Sequence, residues 1–245
     1  MNRKEALTVT GAVLGCTLRP LRAVAGVTSG SVAITQTGIP VAFIVGPRSN
    51  LIDIAGPMEV FGDMYVSETG QPPANGADSF AGAKGTHPVF APYVVSDTLE
   101  PITAGRVVTI TPNYTFANAP APKIIVMGAQ SGHSPAKVEW IREMARTADV
   151  VMSVCTGAYL LADTGLLDGK RATTHHDFYD DFAATYPKVQ LIRGPRFVDD
   201  GQLKTAGGLT SGIGLALHVV SQMYDEARAA QVARYLEYVR TERPT

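Results

Sequence analysis

The chain has 245 residues, 45% of them hydrophobic and 18% charged, so it can bury a full core and reads as one domain with trimmings rather than a disordered segment. Its formal net charge is −1 and no basic run stands out, which argues against the positive patch that phosphate backbones demand and so against a nucleic-acid partner. The two cysteines, Cys16 and Cys155, lie far apart, and no Cys/His cluster has metal-ligand spacing, which speaks against both a disulfide framework and a structural zinc.

Residues 1–25 read as an export leader. Asn2-Arg3-Lys4 is a basic start, an apolar run with threonines follows, and Ala23-Val24-Ala25 has the small-x-small form of a signal-peptidase site. Lys4 stands where a twin-arginine signal has its second arginine, and Val13-Leu14-Gly15-Cys16 has the form of a lipoprotein box, which would give a lipid anchor. The competing reading is an N-terminal helix or tail on a cytoplasmic protein, and Arg19 and Arg22 just before the cleavage site speak for it. Cleavage would place the protein in the periplasm, starting near Gly26 with Cys155 as its single cysteine. No later stretch approaches the roughly 18 consecutive apolar residues that span a bilayer.

Residues 26–38 form a Gly/Ser/Thr-rich connector, and the domain proper is expected over residues 39–240. Residues 39–45 are a continuous apolar run, read as a first parallel strand buried on both faces. Gly46-Pro47-Arg48-Ser49-Asn50 breaks it and leads into a helix, with Pro57 suited to a first helical position. Asp53 then lies near the carboxyl end of strand one, where ligands gather in open α/β sheets, or else is merely a cap or a solvated loop carboxylate. Residues 67–88 read as a long surface loop. Residues 90–96 resume as a strand in which Pro92 implies an edge or strand-start position. Residues 107–110 are a short strand, and Asn113-Tyr114-Thr115-Phe116 is expected to be loop. Another buried strand starts at Lys123 and runs into the turn Gly128-Ala129-Gln130-Ser131-Gly132, whose N–H groups are suited to a developing anion.

A helix is expected from Ser134-Pro135 to about Arg146. After it, Val150-Val151-Met152-Ser153-Val154 is a buried strand that turns at Cys155-Thr156-Gly157-Ala158 into a further helix. Such an elbow forces its nucleophile into an exposed, strained position. Thr156 and its small neighbours leave backbone N–H groups beside the sulfur, and the helix dipole is expected to depress the Cys155 pKa. The bland alternative is a small hydrophobe ending a core strand. His175 and His176 are expected to point in different directions, which disfavours a shared metal; His175 is either a pocket residue near the cysteine or a structural histidine. Residues 197–205 carry a hairpin signal with Asp200-Gly201 in the turn. The glycines of residues 206–214 read as close packing before a helix to about Tyr224, and a last amphipathic helix runs from Asp225 to near Arg240.

Strands alternating with helices predict a mostly parallel sheet covered on both faces. Taken together, Leu51-Ile52-Asp53-Ile54-Ala55-Gly56-Pro57, Ser153-Val154-Cys155-Thr156-Gly157-Ala158, the stretch from Gly165 to His175 and Thr210-Ser211-Gly212-Ile213-Gly214 resemble the ThiJ/PfpI superfamily. Within it the closest resemblance is to isonitrile hydratases and to the sensor domains of AraC-type regulators. The resemblance implies a flavodoxin-like α/β sandwich and a homodimer. It also implies that Cys155 is a nucleophile with Asp53 as acidic partner, in a site that takes a small-molecule substrate and no cofactor or metal. Gly128, Ala129 and Thr156 would supply donors to the intermediate.

Thr156 stands where protease-like members have histidine, so a Cys-His peptidase lacks its base. Ala129 replaces the second glycine of many relatives, which narrows the pocket by a methyl. A regulator would need a helix-turn-helix after the sensor, and none is expected after the last predicted helix. The reading is therefore a cysteine-dependent hydratase that converts an isonitrile to a formamide through a thioimidate. The alternatives are a non-catalytic small-molecule or redox sensor and a glyoxalase or deglycase activity.

Overall fold

The computed structural model describes residues 38–67 and 85–240. The expected leader, the connector up to residue 37 and most of the expected loop at 67–88 lie outside these residues.

The chain runs β1 (Ile39–Ile44), α1 (Leu51–Gly62), β2 (Tyr65–Ser67), β3 (Thr86–Pro88), β4 (Phe90–Ser96), β5 (Ile102–Ala104), β6 (Val108–Ile110), β7 (Tyr114–Thr115) and β8 (Ile124–Met127). It continues with α2 (Pro135–Met144), β9 (Val150–Val154), α3 (Gly157–Asp163), β10 (Arg171–Ala172), α4 (Tyr179–Thr185) and β11 (Gln190–Leu191). It closes with β12 (Phe197–Asp200), β13 (Leu203–Ala206), α5 (Ser211–Met223) and α6 (Glu226–Tyr235). A seven-stranded sheet has the order β12-β13-β9-β8-β1-β4-β7 and is parallel except for the β12–β13 hairpin. The expected sandwich is thus the observed one.

Strand alternation divides the core between the two faces of the sheet. Val41, Phe43, Val126, Met152 and Val154 pack with residues of α1, α5 and α6. Their neighbours Ala42, Ile44, Ile125, Met127 and Val151 pack with Trp140 and Ile141 of α2, Leu160 and Leu161 of α3 and Phe182 of α4. Full burial of β8 and β9 explains their sequences, apolar throughout in β8 and interrupted in β9 by Ser153 alone. The helix after β1 and the helix after β8 lie on opposite faces, so the loops beyond these two carboxyl ends flank the crevice where open α/β sheets bind ligands.

Four expectations are corrected. Helix α1 begins at Leu51, capped by the Asn50 side chain, which accepts from the Ile52 N–H. Pro57 is therefore inside the helix rather than at its start, and Asp53 belongs to the first turn. Tyr114–Thr115 is not loop but the edge strand β7, paired with Val95 and Ser96. Because β7 reaches only that end of β4, Pro92 has β1 on one side and no strand on the other among the described residues, which suits its missing donor. Helix α6 stops at Tyr235: Glu237 takes a φ of 51°, and the Tyr238 N–H turns back to the Ala233 carbonyl at 2.8 Å. Finally, the His175 and His176 rings do not diverge but stack, with centroids 4.5 Å apart.

Candidate active site

Strand β9 ends at Val154, and Cys155 follows with a φ of 60°, in the left-handed region that glycine, and less readily asparagine and aspartate, adopts. The cost, about 1–3 kcal/mol, is met by a backbone clamp. The Cys155 N–H donates to the carbonyls of Gly207 at 2.8 Å and Ala206 at 3.1 Å, and the Cys155 carbonyl accepts from the Thr174 hydroxyl at 3.0 Å. Behind the elbow, α3 approaches β8 so closely that a Cβ on Gly157 would stand 2.4 Å from the Met127 carbonyl oxygen.

The thiol is buried, 6% exposed. Burial first, and then the charge of Asp53, push its pKa up to about 11, against the pull of the N–H groups of Thr156 and Leu209 and of the Thr156 hydroxyl. The expected depression is thus reversed: the favourable donors are present, and desolvation beside a carboxylate outweighs them.

Asp53 is fully buried. Its Oδ2 accepts from the Ala129 N–H at 3.0 Å, while Oδ1 has no partner of full hydrogen-bond geometry among the described residues. Burial pushes the carboxyl up to about 6, and the Ala129 N–H and the Cys155 thiol draw it back only in part. Gly128 has to be glycine, because a Cβ there would lie 2.6 Å from the Asp53 Cβ. The turn after β8 was expected to hold an anion opposite the sulfur; its Ala129 N–H instead holds the acid.

Leu209 is the site residue that sequence reading missed. It lies just before α5 with a φ of 51°, and its N–H lies against the Cys155 sulfur. Loop, thiol and acid therefore come from the chain after β13, the elbow after β9 and the first turn after β1. His175 is half-buried beside Gly208, and its Nδ1 accepts from the Asp177 N–H at 3.3 Å. With Arg196, Leu209 and Thr210 it lines a hollow of about 450 Å³ on the Leu209 side of the elbow. His175, His176 and Asp177 place donor atoms within 4.8 Å of one another. Stacked imidazoles direct their lone pairs in parallel planes, which suits a shared tetrahedral ion poorly. No helix among the described residues is long and apolar enough to cross a membrane.

The arrangement gives a strained, clamped thiol, a buried acid that titrates near neutrality beside it, and backbone donors on the sulfur. These are the parts of nucleophilic catalysis with a proton carrier.

Known proteins resemble this chain in sequence and in fold. The profile described as the DJ-1/PfpI family matches residues 41–222. An isonitrile hydratase of Pseudomonas putida is 29% identical over 208 residues, 82% of this chain and 78% of that protein. The transcriptional regulator CdhR of Pseudomonas aeruginosa is 35% identical over 100 residues, which are 41% of this chain and 30% of that protein. A solved ThiJ/PfpI family protein from Pseudomonas syringae superposes with a TM-score of 0.66 at 22% identity, over 91% of this chain and 85% of that one. Drosophila melanogaster DJ-1beta does so with 0.63 at 15%, over 83% and 100%.

Proposed function

This chain belongs to the DJ-1/PfpI family, and from that premise we propose that it is a cysteine-dependent hydratase converting an isonitrile to an N-substituted formamide. The observation that carries the reading is the pairing at the elbow: Cys155 at a φ of 60° with a buried Asp53, raised to about 6, facing its sulfur. The similarity to an isonitrile hydratase supports the choice of substrate.

The isonitrile is R–N≡C, and the terminal carbon is the atom that reacts. The Cys155 sulfur forms a bond to that carbon while a proton is delivered to it, giving the thioimidate R–N=CH–S. Asp53 is the carrier of that proton. A group poised near pH 6 holds both protonation states in useful amounts at neutrality, and such catalysis contributes about 10²–10⁴-fold. The raised thiol fits this scheme, because sulfur and carboxylate share one proton that leaves the sulfur as its carbon bond forms. Water then adds to the thioimidate carbon, the nitrogen takes a proton, the C–S bond breaks, and the sulfur recovers its proton as R–NH–CHO departs. The net change is addition of one water. The N–H groups of Thr156 and Leu209 hold negative charge on the sulfur as it departs. A homodimer and export of the mature chain belong to the same proposal; sedimentation of the purified protein and N-terminal sequencing from the native host test them.

The deciding experiment follows formamide by mass spectrometry across a panel of isonitriles, with a search for the covalent adduct on Cys155. Formamide with the wild type and none with Cys155→Ala is the expected result. Should no isonitrile yield formamide or adduct, the hydratase reading fails and the sensor reading, which the resemblance to regulators supports, takes its place.

A further inference from the structure

On the Thr156 side of the elbow lies a second hollow, of about 280 Å³, and we propose that it binds the positively charged end of the substrate, so that the compound processed at Cys155 is a small organic cation. It is lined by Gln130, His133, Thr156, Tyr159, Phe178 and Asp181. This inference takes the elbow as the reaction centre, as proposed above, and adds the chemical class of what enters it.

Position comes first. Thr156 follows Cys155 and gives its N–H to the sulfur, and Gln130 follows Ala129, whose N–H holds Asp53. The hollow therefore opens between the two carriers of the reactive pair. Tyr159 comes three residues after Thr156 and so lies on the same face at the start of α3.

The walls are aromatic and acidic. The Tyr159 and Phe178 rings meet edge to face, with centroids 6.5 Å apart at 86°, and Phe178 is 42% exposed. Asp181 accepts from the Tyr159 hydroxyl at 2.6 Å and forms no ion pair among the described residues. Other exposed acids do have partners: Asp180, its neighbour in the chain, takes Arg193 at 2.6 Å and Asp168 takes Lys188 at 2.9 Å. The imidazole of His133 is held by Asp163 at 2.6 Å, and no lysine or arginine lines the hollow.

An aromatic wall with an unpaired carboxylate attracts ammonium and guanidinium groups, through the ring quadrupole and through charge. An anionic end would face Asp181 with no lysine or arginine in the lining to compensate it, and the His133 imidazole is already taken by Asp163. A neutral apolar end would gain the cover of Phe178 but would strip water from the carboxylate and give it no charge or hydrogen bond in return. The volume is at the lower edge of small-molecule sites, which run from about 300 Å³ upward. The cation is accordingly a small amine or quaternary ammonium compound rather than a peptide.

The test uses the full chain carrying Cys155→Ala, so that binding is measured without turnover, and calorimetric titration with three compounds of like shape. These are 2-phenylethylammonium, the uncharged 2-phenylethanol and the anionic 3-phenylpropionate. The ammonium compound should bind at least tenfold more tightly than the alcohol, with no saturation by the carboxylate. Asp181→Asn should abolish that preference, and Phe178→Ala should weaken binding of the ammonium compound severalfold. Equal binding of alcohol and ammonium, binding of the carboxylate, saturation by none of the three, or a preference that survives Asp181→Asn would overturn the proposal. Because no bond is made, a protein that shows the preference but yields no formamide would sink the hydratase reading alone. Turnover of neutral isonitriles without any cation preference would sink this one alone.

Discussion

Two acids in this molecule are taken out of water, and the fold treats them in opposite ways. Asp199, on β12, has Lys204 Nζ at 2.6 Å, His218 Nε2 at 2.7 Å, Gln222 Nε2 at 2.8 Å and the Gly201 N–H at 3.0 Å. Burial pushes Asp199 up, but the hydrogen bonds from Lys204 and His218 and the charge of Lys204 prevail and hold it at about 2. Asp53 has one N–H on one oxygen and sits raised at about 6. Desolvation alone therefore does not decide the fate of a buried carboxyl; the number of donors does. The same chain that satisfies Asp199 fully leaves Asp53 short of partners at the carboxyl ends of the strands, where a proton has to move.

The comparison is broken most directly by removing each carboxylate in turn. Asp53→Asn should slow formamide production by about 10²–10⁴-fold, the range for a lost proton carrier. Asp199→Asn should leave the rate of the folded protein unchanged within about threefold, since its partners are Lys204, His218 and Gln222 rather than the thiol. Equal losses from the two variants would erase the distinction.

Stability should respond with opposite signs. The lowered pKa of Asp199 contributes stability that is present above the unfolded value of 3.8 and lost as pH falls through about 2. Asp199→Asn should then cost about 1–2 kcal/mol at neutral pH, after allowance for solvent screening. The raised pKa of Asp53 contributes stability that is complete below 3.8 and lost as pH rises through about 6. At pH 8 Asp53→Asn should therefore stabilise the fold by about 1–3 kcal/mol, a gain that vanishes near pH 4. Urea unfolding of wild type and both variants between pH 4 and 8 gives the sign of each.

Much of this was legible in the residues, and the division follows the same line. The strand and turn around Cys155 were readable from an apolar run ending in small residues, but the residues alone left Cys155 open between nucleophile and core hydrophobe and Asp53 between site and cap. The four motifs shared with the ThiJ/PfpI superfamily are what singled out the pair. Side-chain partnerships such as Lys204 with Asp199, and the burial of Lys137 against Gln130 and the Gly132 carbonyl, join positions whose proximity no local pattern announces. The direction of the Cys155 pKa was misread for a related reason. A helix start is visible in sequence, whereas a 6% exposed sulfur beside a carboxylate exists only after the sheet has assembled. Leu209 was hidden most deeply, because its function lies in a backbone N–H and a φ of 51° that leucine does not advertise.

Thiol chemistry sharpens the comparison at smaller amplitude. With a pKa raised to about 11, the rate of Cys155 alkylation by iodoacetamide should climb through pH 8 to 10 without a plateau. Asp53→Asn removes the neighbouring charge and should shift that profile to lower pH, speeding alkylation at pH 8 while slowing turnover. Asp199→Asn should leave the profile in place. A plateau near pH 8.5 in the wild type would mean that the sulfur is solvated like a free thiol.

The smallest effect is expected at Leu209, and it asks whether the reactive pair truly depends on backbone donors where Asp199 depends mainly on side chains. Leu209 is 39% exposed, so its side chain gives little burial, yet it holds a left-handed backbone that asparagine adopts more readily. Leu209→Asn keeps the N–H that lies against the sulfur. Relief of backbone strain and removal of a half-exposed apolar side chain are both small and oppose each other, so stability should change by no more than about 1 kcal/mol. The alkylation profile of Cys155 should not move at all, since the donor is the same peptide group in the same place. If the profile moves by a pH unit or more while urea unfolding stays unchanged, the leucine side chain, by excluding water from the sulfur, is what sets the thiol. Backbone donors would then not be the basis of the contrast with Asp199.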